Sequence, residues 1–185
     1  MPTYIAFHKP YEVLSQFTDP AGRVTLKDYI NLPGVYAAGR LDYRSEGLLI
    51  LSDDGRFIQR LADPRFEHSK VYLAQIEGIP TEEEVTRLQE SILLPGLQTR
   101  LVQAQISPDP GFPPRSKPVR PYHATTWLRL VLKEGKKHEA RRLTAAIGYP
   151  TLRLVRTEIG PVCLGDLQPG HWRRLTKKEI SAILD

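Results

Sequence analysis

The chain has 185 residues, 41% of them hydrophobic and 25% charged, a globular balance at a length that suits one domain or one domain of two lobes. It has no run of ~18 apolar residues, which excludes a membrane-spanning helix. The opening Met1-Pro2-Thr3-Tyr4-Ile5 lacks the basic and long apolar segments of a secretory leader. The net charge of +5 is uneven: residues 1–109 carry 11 Lys and Arg against 15 Asp and Glu, and residues 110–185 carry 15 against 6. That asymmetry predicts a polyanion-binding face in the second part, with nucleic acid as the partner; the alternative is a merely solvated basic surface.

In chain order, strands are predicted near Tyr4–Phe7 and Val13–Ser15, then a short helix near Leu26–Ile30. Val35–Ala38 and Leu48–Leu51 are apolar runs suited to central strands. Asp53-Asp54-Gly55 turns the chain, and Arg56–Leu61 predicts a short helix that stops at Asp63-Pro64. Lys70–Glu77 alternates as a strand does. Thr81 followed by Glu84 is a capping box that opens a helix to about Ser91. Strands at Thr99–Ile106 and Thr125–Lys133, a helix over His138–Ile147 and a strand at Leu152–Thr157 complete a β-α-β-β-α-β order, the ferredoxin-like pattern. A last helix, Lys177–Leu184, is capped by Thr176.

Between the two middle strands, Ser107–His123 holds prolines at 108, 110, 113, 114, 118 and 121. Proline lacks a donor and fixes φ, so this stretch joins neither a helix nor a sheet ladder. With Arg115, Lys117 and Arg120 it reads as a basic, extended arm. Three readings stay open: contact with an RNA backbone, a cover over a cleft, or a plain surface insertion. The single cysteine, Cys163, excludes an internal disulfide, fits a reducing cytoplasm, and is expected in the core. The five histidines, at 8, 68, 123, 138 and 171, show no H-x₃₋₄-H spacing, so no metal site is expected.

The most informative segment runs from Gly39 to Gly55. It sets Asp42 in a short polar turn just before a buried strand, and Arg40 two residues earlier is placed to keep that carboxylate ionised. On pattern alone, an aspartate that closes a turn is an equal reading. The segment reads G-R-L-D-x-x-S-x-G-L-L-x-L-x-x-D-G, which resembles the signature of the pseudouridine synthases that act on ribosomal RNA. The resemblance implies that Asp42 is the catalytic residue, and the likeness extends over nearly the whole chain.

Lys70-Val71-Tyr72 resembles the family's K-x-Y element, which implies that Tyr72 stacks on a flipped base and takes part in the late proton transfer. Glu134–Leu143 resembles E-G-[KR]-N-R-Q-V-R-R-M, which implies that Arg141 pairs with the catalytic aspartate; neighbouring helix positions point about 100° apart, so Arg142 is read as a substrate contact that binds phosphate. Here the sequence departs from the family, with Lys137 for asparagine, His138 for arginine and Glu139 for glutamine. Gly148–Arg156 resembles G-[FY]-P-x-L-R-L-x-R, which implies that Leu154 packs on the base or on the tyrosine. Successive strand residues face opposite ways, so Arg153 and Arg156 cannot share one cleft, and Arg153 is taken as the substrate-binding one. Arg40 and Lys70 join it as substrate contacts. Leu167–Arg173 resembles the family's structural L-x-x-G-x-[WY]-R ending.

The resemblance implies an α+β fold: an extended, mostly antiparallel mixed sheet with flanking helices and two lobes around a cleft. The first lobe is expected at about 1–68 plus the C-terminal segment, and the ferredoxin-like second at about 69–160. The runs Lys9–Asp19 and Gly34–Gly39 look most like members that act on the large ribosomal subunit. The implied activity is isomerisation of one uridine in 23S ribosomal RNA, without metal, redox partner or nucleotide cofactor. An ionised carboxylate can serve it by attacking C1′, by attacking C6 or by removing a sugar proton. With eight residues ahead of Lys9, the separate N-terminal RNA-binding module of some members is expected to be missing, and the protein is expected to be a cytoplasmic monomer. The rival reading from another class is a catalytically silent RNA-binding or ribosome-assembly factor. Small-subunit or transfer RNA is the alternative substrate.

Overall fold

The structure is a computed structural model describing residues 1–90, 93–94, 97–98 and 101–185. In chain order the strands and α-helices are β1 Tyr4–Lys9, β2 Tyr36–Ala37, β3 Glu46–Ser52, α1 Gly55–Ala62, β4 Lys70–Glu77 and α2 Glu82–Thr86. They continue as β5 Leu93–Leu94, β6 Leu97–Gln98, β7 Leu101–Ser107, β8 Thr125–Leu132, α3 Glu139–Ala146, β9 Thr151–Ile159, β10 Val162–Cys163, β11 Trp172–Arg174 and α4 Lys177–Leu184.

One long sheet carries the molecule, in the order β11-β1-β3-β9-β4-β8-β7, with β2 added to β3 and β10 to β9. Among the described residues every pairing is antiparallel except β3 with β9, which is parallel and spans only Glu46↔Val155 and Gly47↔Arg156. This is the α+β, mostly antiparallel sheet with flanking helices that the sequence predicts. The β9-β4-β8-β7 half, with α2 and α3, has the ferredoxin-like connectivity. At the far edge β11 pairs with β1, so the Leu167–Arg173 segment closes the sheet.

Each face of the sheet buries its own core. Tyr72, Ala74 and Ile76 of β4 pack with Leu128, Leu130 and Leu154 beneath Val85 of α2 and Leu143 of α3. Leu48, Ile50, Val155 and Ile159 pack on the opposite face beneath Phe57 and Leu61 of α1 and Ile183 of α4. Helix starts are set by side chains that satisfy otherwise orphaned N–H groups. Asp54 accepts from Arg56 and Phe57, Thr81 with Glu84 forms the predicted capping box, and the predicted cap at Thr176 forms a capping box with Glu179.

Several expectations are corrected. Val13–Ser15 is a buried loop, not a strand, because its polar groups bond to other loops: Leu14 N donates to Val24 O and Ser15 Oγ to Leu41 O. Leu26–Ile30 narrows to a 3₁₀ turn at Leu26–Asp28, capped by Thr25. Of Val35–Ala38 only Tyr36–Ala37 pairs with β3. The helix after Thr81 gives way to a 3₁₀ turn at Arg87–Gln89, and its expected end at Ser91 lies outside the described residues, as do positions 99 and 100 of the Thr99–Ile106 strand. Cys163 is exposed, since alternation along β10 turns Val162 inward and the cysteine out.

The proline-rich arm folds onto the sheet face opposite Tyr72. Phe112 meets Trp127 edge to face at 5.7 Å, and the Arg153 guanidinium lies 5.6 Å from the Phe112 ring centroid. Arg115 stacks 4.1 Å over Tyr11 and sits 4.0 Å from the Glu46 carboxylate. The arm thereby ties β9 to the chain just after β1, and none of its residues lines the cleft described next.

Candidate active site

A cleft of about 690 Å³ opens beside the short β3–β9 junction, within the size range of pockets that enclose a small ligand. Its walls are the 39–45 loop, the start of β4, the 134–138 loop and the β9 residues Leu154 and Arg156. Asp42, Tyr72, Arg40, Lys70 and Leu154 all line it. Arg141, Arg142 and Arg153 are not among the lining residues.

The loop that carries Asp42 is clamped from three directions. Lys9, fully buried at the end of β1, donates from Nζ to Pro10 O at 2.9 Å, Val13 O at 2.8 Å and Tyr43 O at 3.5 Å. Burial pushes the Lys9 ammonium down to about 7, against the pull of Glu46, with Arg156 adding to the fall and Asp42 opposing it. Ser15 Oγ donates to Leu41 O at 2.8 Å and accepts from Leu41 N at 3.1 Å. Glu12 N donates to Tyr43 O, and Ser45 N closes the turn on Asp42 O. A carboxylate on so constrained a loop stays aimed, which a reacting group requires.

The ionisable group that meets Asp42 is His138, with Nδ1 3.1 Å from Oδ2. His138 stands at the N-terminus of α3 in the left-handed backbone region, φ 55°, and its side chain makes no helix cap. Left-handed backbone in a residue with a Cβ is uncommon and clusters at functional sites. The pairing that the resemblance implied for Arg141 takes another form. Arg141 Nη1 donates to Thr151 O at 3.1 Å and Nη2 to Arg44 O at 2.9 Å. Burial holds Arg141 below the usual arginine range, and the Asp42 charge is the first influence opposing that. Arg141 therefore steadies the Asp42 loop through its backbone. Arg141→Ala is expected to cost about 1–2 kcal/mol of stability, because it removes hydrogen bonds to one part-buried carbonyl, Thr151 O, and one exposed carbonyl, Arg44 O, and to lower kcat at least tenfold; an unchanged denaturation midpoint and unchanged kinetics in that variant would refute this.

Tyr72 also lines the cleft, largely buried on β4. Its hydroxyl is 3.5 Å from Arg156 Nη1, and the Arg156 guanidinium is 6.0 Å from its ring centroid. Arg156 is only 2% exposed. Beside it, burial first and Arg156 second hold the Lys70 ammonium below the lysine range, with Glu139 opposing. Arg153, expected to touch substrate, is instead held in a bidentate pair with Glu46 at 2.8 and 3.0 Å and donates to Pro113 O. Once Leu154 is assigned to the cleft, strand alternation places Arg156 beside it and Arg153 on the other face. The parity of β9 was the signal for Arg156, while His138 stood out only as a departure from the family pattern.

Glu139, another departure, is buried at 3% exposure and accepts from Lys136 N through Oε2. Burial, and then the neighbouring Glu134 carboxyl, push Glu139 up to about 7. A carboxyl that ionises less readily when folded adds stability in acid, and that stability fades as pH rises between its ordinary value near 4.5 and about 7. Glu139→Gln is expected to abolish this slope, so melting curves from pH 5 to 8 should show the variant gaining on the wild type. Parallel pH profiles would show that Glu139 titrates as a free carboxyl.

A mostly antiparallel sheet that brings a clamped carboxylate and a tyrosine into one cleft suits an enzyme of the RNA-isomerising class. The chain belongs to the RNA pseudouridylate synthase family, whose model matches residues 3–146. It is 47% identical over 174 residues to "Ribosomal large subunit pseudouridine synthase E" of Vibrio vulnificus, across 93% of this chain and 74% of that protein. It is 45% identical over 175 residues to the protein of the same name from Xanthomonas campestris pv. campestris, across 91% of this chain and 93% of that one. Among solved structures, a pseudouridylate synthase crystal structure superimposes with a TM-score of 0.81 at 27% identity, covering 99% of this chain and 74% of that one. No helix among the described residues is long and apolar enough to cross a membrane.

Proposed function

We propose that this protein converts one uridine of 23S ribosomal RNA to pseudouridine, with Asp42 as the reacting carboxylate. The observation that carries the reading is the placement of Asp42, on a clamped loop, and Tyr72 in the lining of one cleft of about 690 Å³. The names of the Vibrio and Xanthomonas relatives favour the large-subunit RNA as substrate.

A base inside a stack must be extruded first, which costs a few kcal/mol, and stacking on an aromatic face returns about 1–3 kcal/mol per base. Tyr72 supplies that face and Leu154 an apolar wall. His138 and the backbone clamp hold the carboxylate towards the sugar. Arg40, Lys70 and Arg142 serve the RNA backbone, and the excess of Lys and Arg over residues 110–185 extends that field. Arg153 contributes indirectly, by neutralising Glu46 next to the Asp42 loop. The chain acts as one two-lobed catalytic unit, a cytoplasmic monomer.

The test is chemical mapping of pseudouridine in separate large- and small-subunit rRNA transcripts, each incubated with the wild-type protein. One strong site in the large-subunit transcript is the expected result. A site only in small-subunit RNA would move the substrate, and no site in either, with RNA binding intact, would favour a silent binding factor.

A further inference from the structure

Arg156 is the unusual group in the cleft. Its Nε donates to Leu48 O at 2.8 Å, which fixes the guanidinium in the gap where β3 and β9 part after two paired residues. Nη1 reaches the Tyr72 hydroxyl only at 3.5 Å, and Nη2 is buried with no hydrogen-bond partner among the described residues. None of these partners is a carboxylate. A buried guanidinium left with an unmet donor is costly, because it has surrendered water for nothing within the protein. Arg153, three residues away, shows the usual solution in its bidentate pair with Glu46. Arg156 lacks that solution at the place where the proposed substrate base enters.

We propose that Arg156 is a catalytic residue whose Nη2 donates a hydrogen bond to a carbonyl oxygen of the extruded uracil and stabilises the charge that develops there as the N1–C1′ bond breaks. The inference rests on the uridine-isomerising reading above. When that bond breaks, its electron pair passes to the base, and conjugation spreads the negative charge over N1, O2 and O4. The base then turns, C5 joins C1′, the proton on C5 leaves and N1 gains one, so no other reactant is consumed. Whichever route Asp42 takes, the detached base is an acceptor far stronger than the uridine it came from. A fixed donor in a dry wall favours that state over the ground state, which is the requirement for acceleration. The neighbouring cation Lys70, also lining the cleft, adds to the same field.

Single-turnover kinetics on an rRNA fragment carrying the mapped uridine, or 2-thiouridine or 4-thiouridine in its place, test this. Sulfur is a poorer acceptor than oxygen, so the wild type is expected to react at least tenfold more slowly on one of the two thio-substrates. Arg156→Met is expected to lose at least 100-fold in rate on uridine and to lose the oxygen-over-sulfur preference, while RNA binding stays within a few-fold. Arg156→Lys, which keeps the charge, carries the same comparison if thermal melting shows the methionine variant unfolded, and it is expected to retain part of both the rate and the preference. A variant that folds and keeps the wild-type oxygen-to-sulfur ratio overturns the proposal, even if it is slow, because a purely structural loss scales all substrates alike. Wild-type protein inactive on every uridine transcript would overturn the parent reading and this inference with it, an outcome distinct from a normal wild type with an unaltered thio ratio.

Discussion

Asp42→Asn is expected to reduce pseudouridine formation by at least about 10³-fold, equivalent to about 4 kcal/mol of transition-state stabilisation, while RNA affinity changes by no more than a few-fold. The substitution removes a charge and almost no volume. Its amide oxygen can still accept from His138 Nδ1, which lies 3.1 Å from the carboxylate in the wild type, so the loop should keep its place. The clamp through Lys9 and Ser15 uses backbone carbonyls and does not touch the Asp42 side chain. Loss of turnover with retained binding and melting temperature therefore isolates the chemistry. Wild-type rates in this variant would remove Asp42 from the reaction and with it the proposed function. Asp42→Ala makes a useful contrast, since it also strips His138 of its partner and should lower stability slightly.

What the sequence revealed depended on how local the determinants are. The capping boxes at Thr81 and Thr176 act over three residues, and both helix starts stand where the sequence placed them. The alternation of Lys70–Glu77 gives β4 to the residue. Val13–Ser15 misled because β-branched and apolar composition marks burial as well as strand, and here Ser15 spends its bonds on Leu41. The arm's path depends on partners far away in the chain: Arg115 lies over Tyr11, and Arg153 over Phe112. No short-range pattern encodes such contacts. In the site, the motifs pointed to Asp42 and Tyr72, and both line the cleft. The pairing of Asp42 with His138 needed the left-handed turn at the start of α3, and Arg156 needed the register of β9.

Gly47→Ala is expected to be the most damaging change outside the reacting groups. Gly47 has φ +105°, and a Cβ there would lie 2.2 Å from Arg156 O and 2.7 Å from Arg156 N. Those are backbone atoms of a central strand, so the clash cannot be relieved by turning a side chain. Left-handed strain of about 1–3 kcal/mol adds to an overpacking cost of about 1–3 kcal/mol, a large share of the ~5–15 kcal/mol that holds a domain folded. The clash also falls on the only parallel junction among the described residues, two residue pairs long, which seats Arg156 beside the cleft. The variant should thus lose activity, RNA affinity and denaturation midpoint together, unlike Asp42→Asn. Gly39→Ala separates the two contributions, because Gly39 has φ +85° but nothing within 4 Å of its would-be Cβ. The Gly39 variant should show the backbone strain alone, and the Gly47 variant should be less stable by a further kilocalorie per mole or more, on the order of the overpacking cost. Equal midpoint shifts would mean that β9 yields to the added methyl, and the close approach of the two strands would then lose its place as the reason for glycine in this motif.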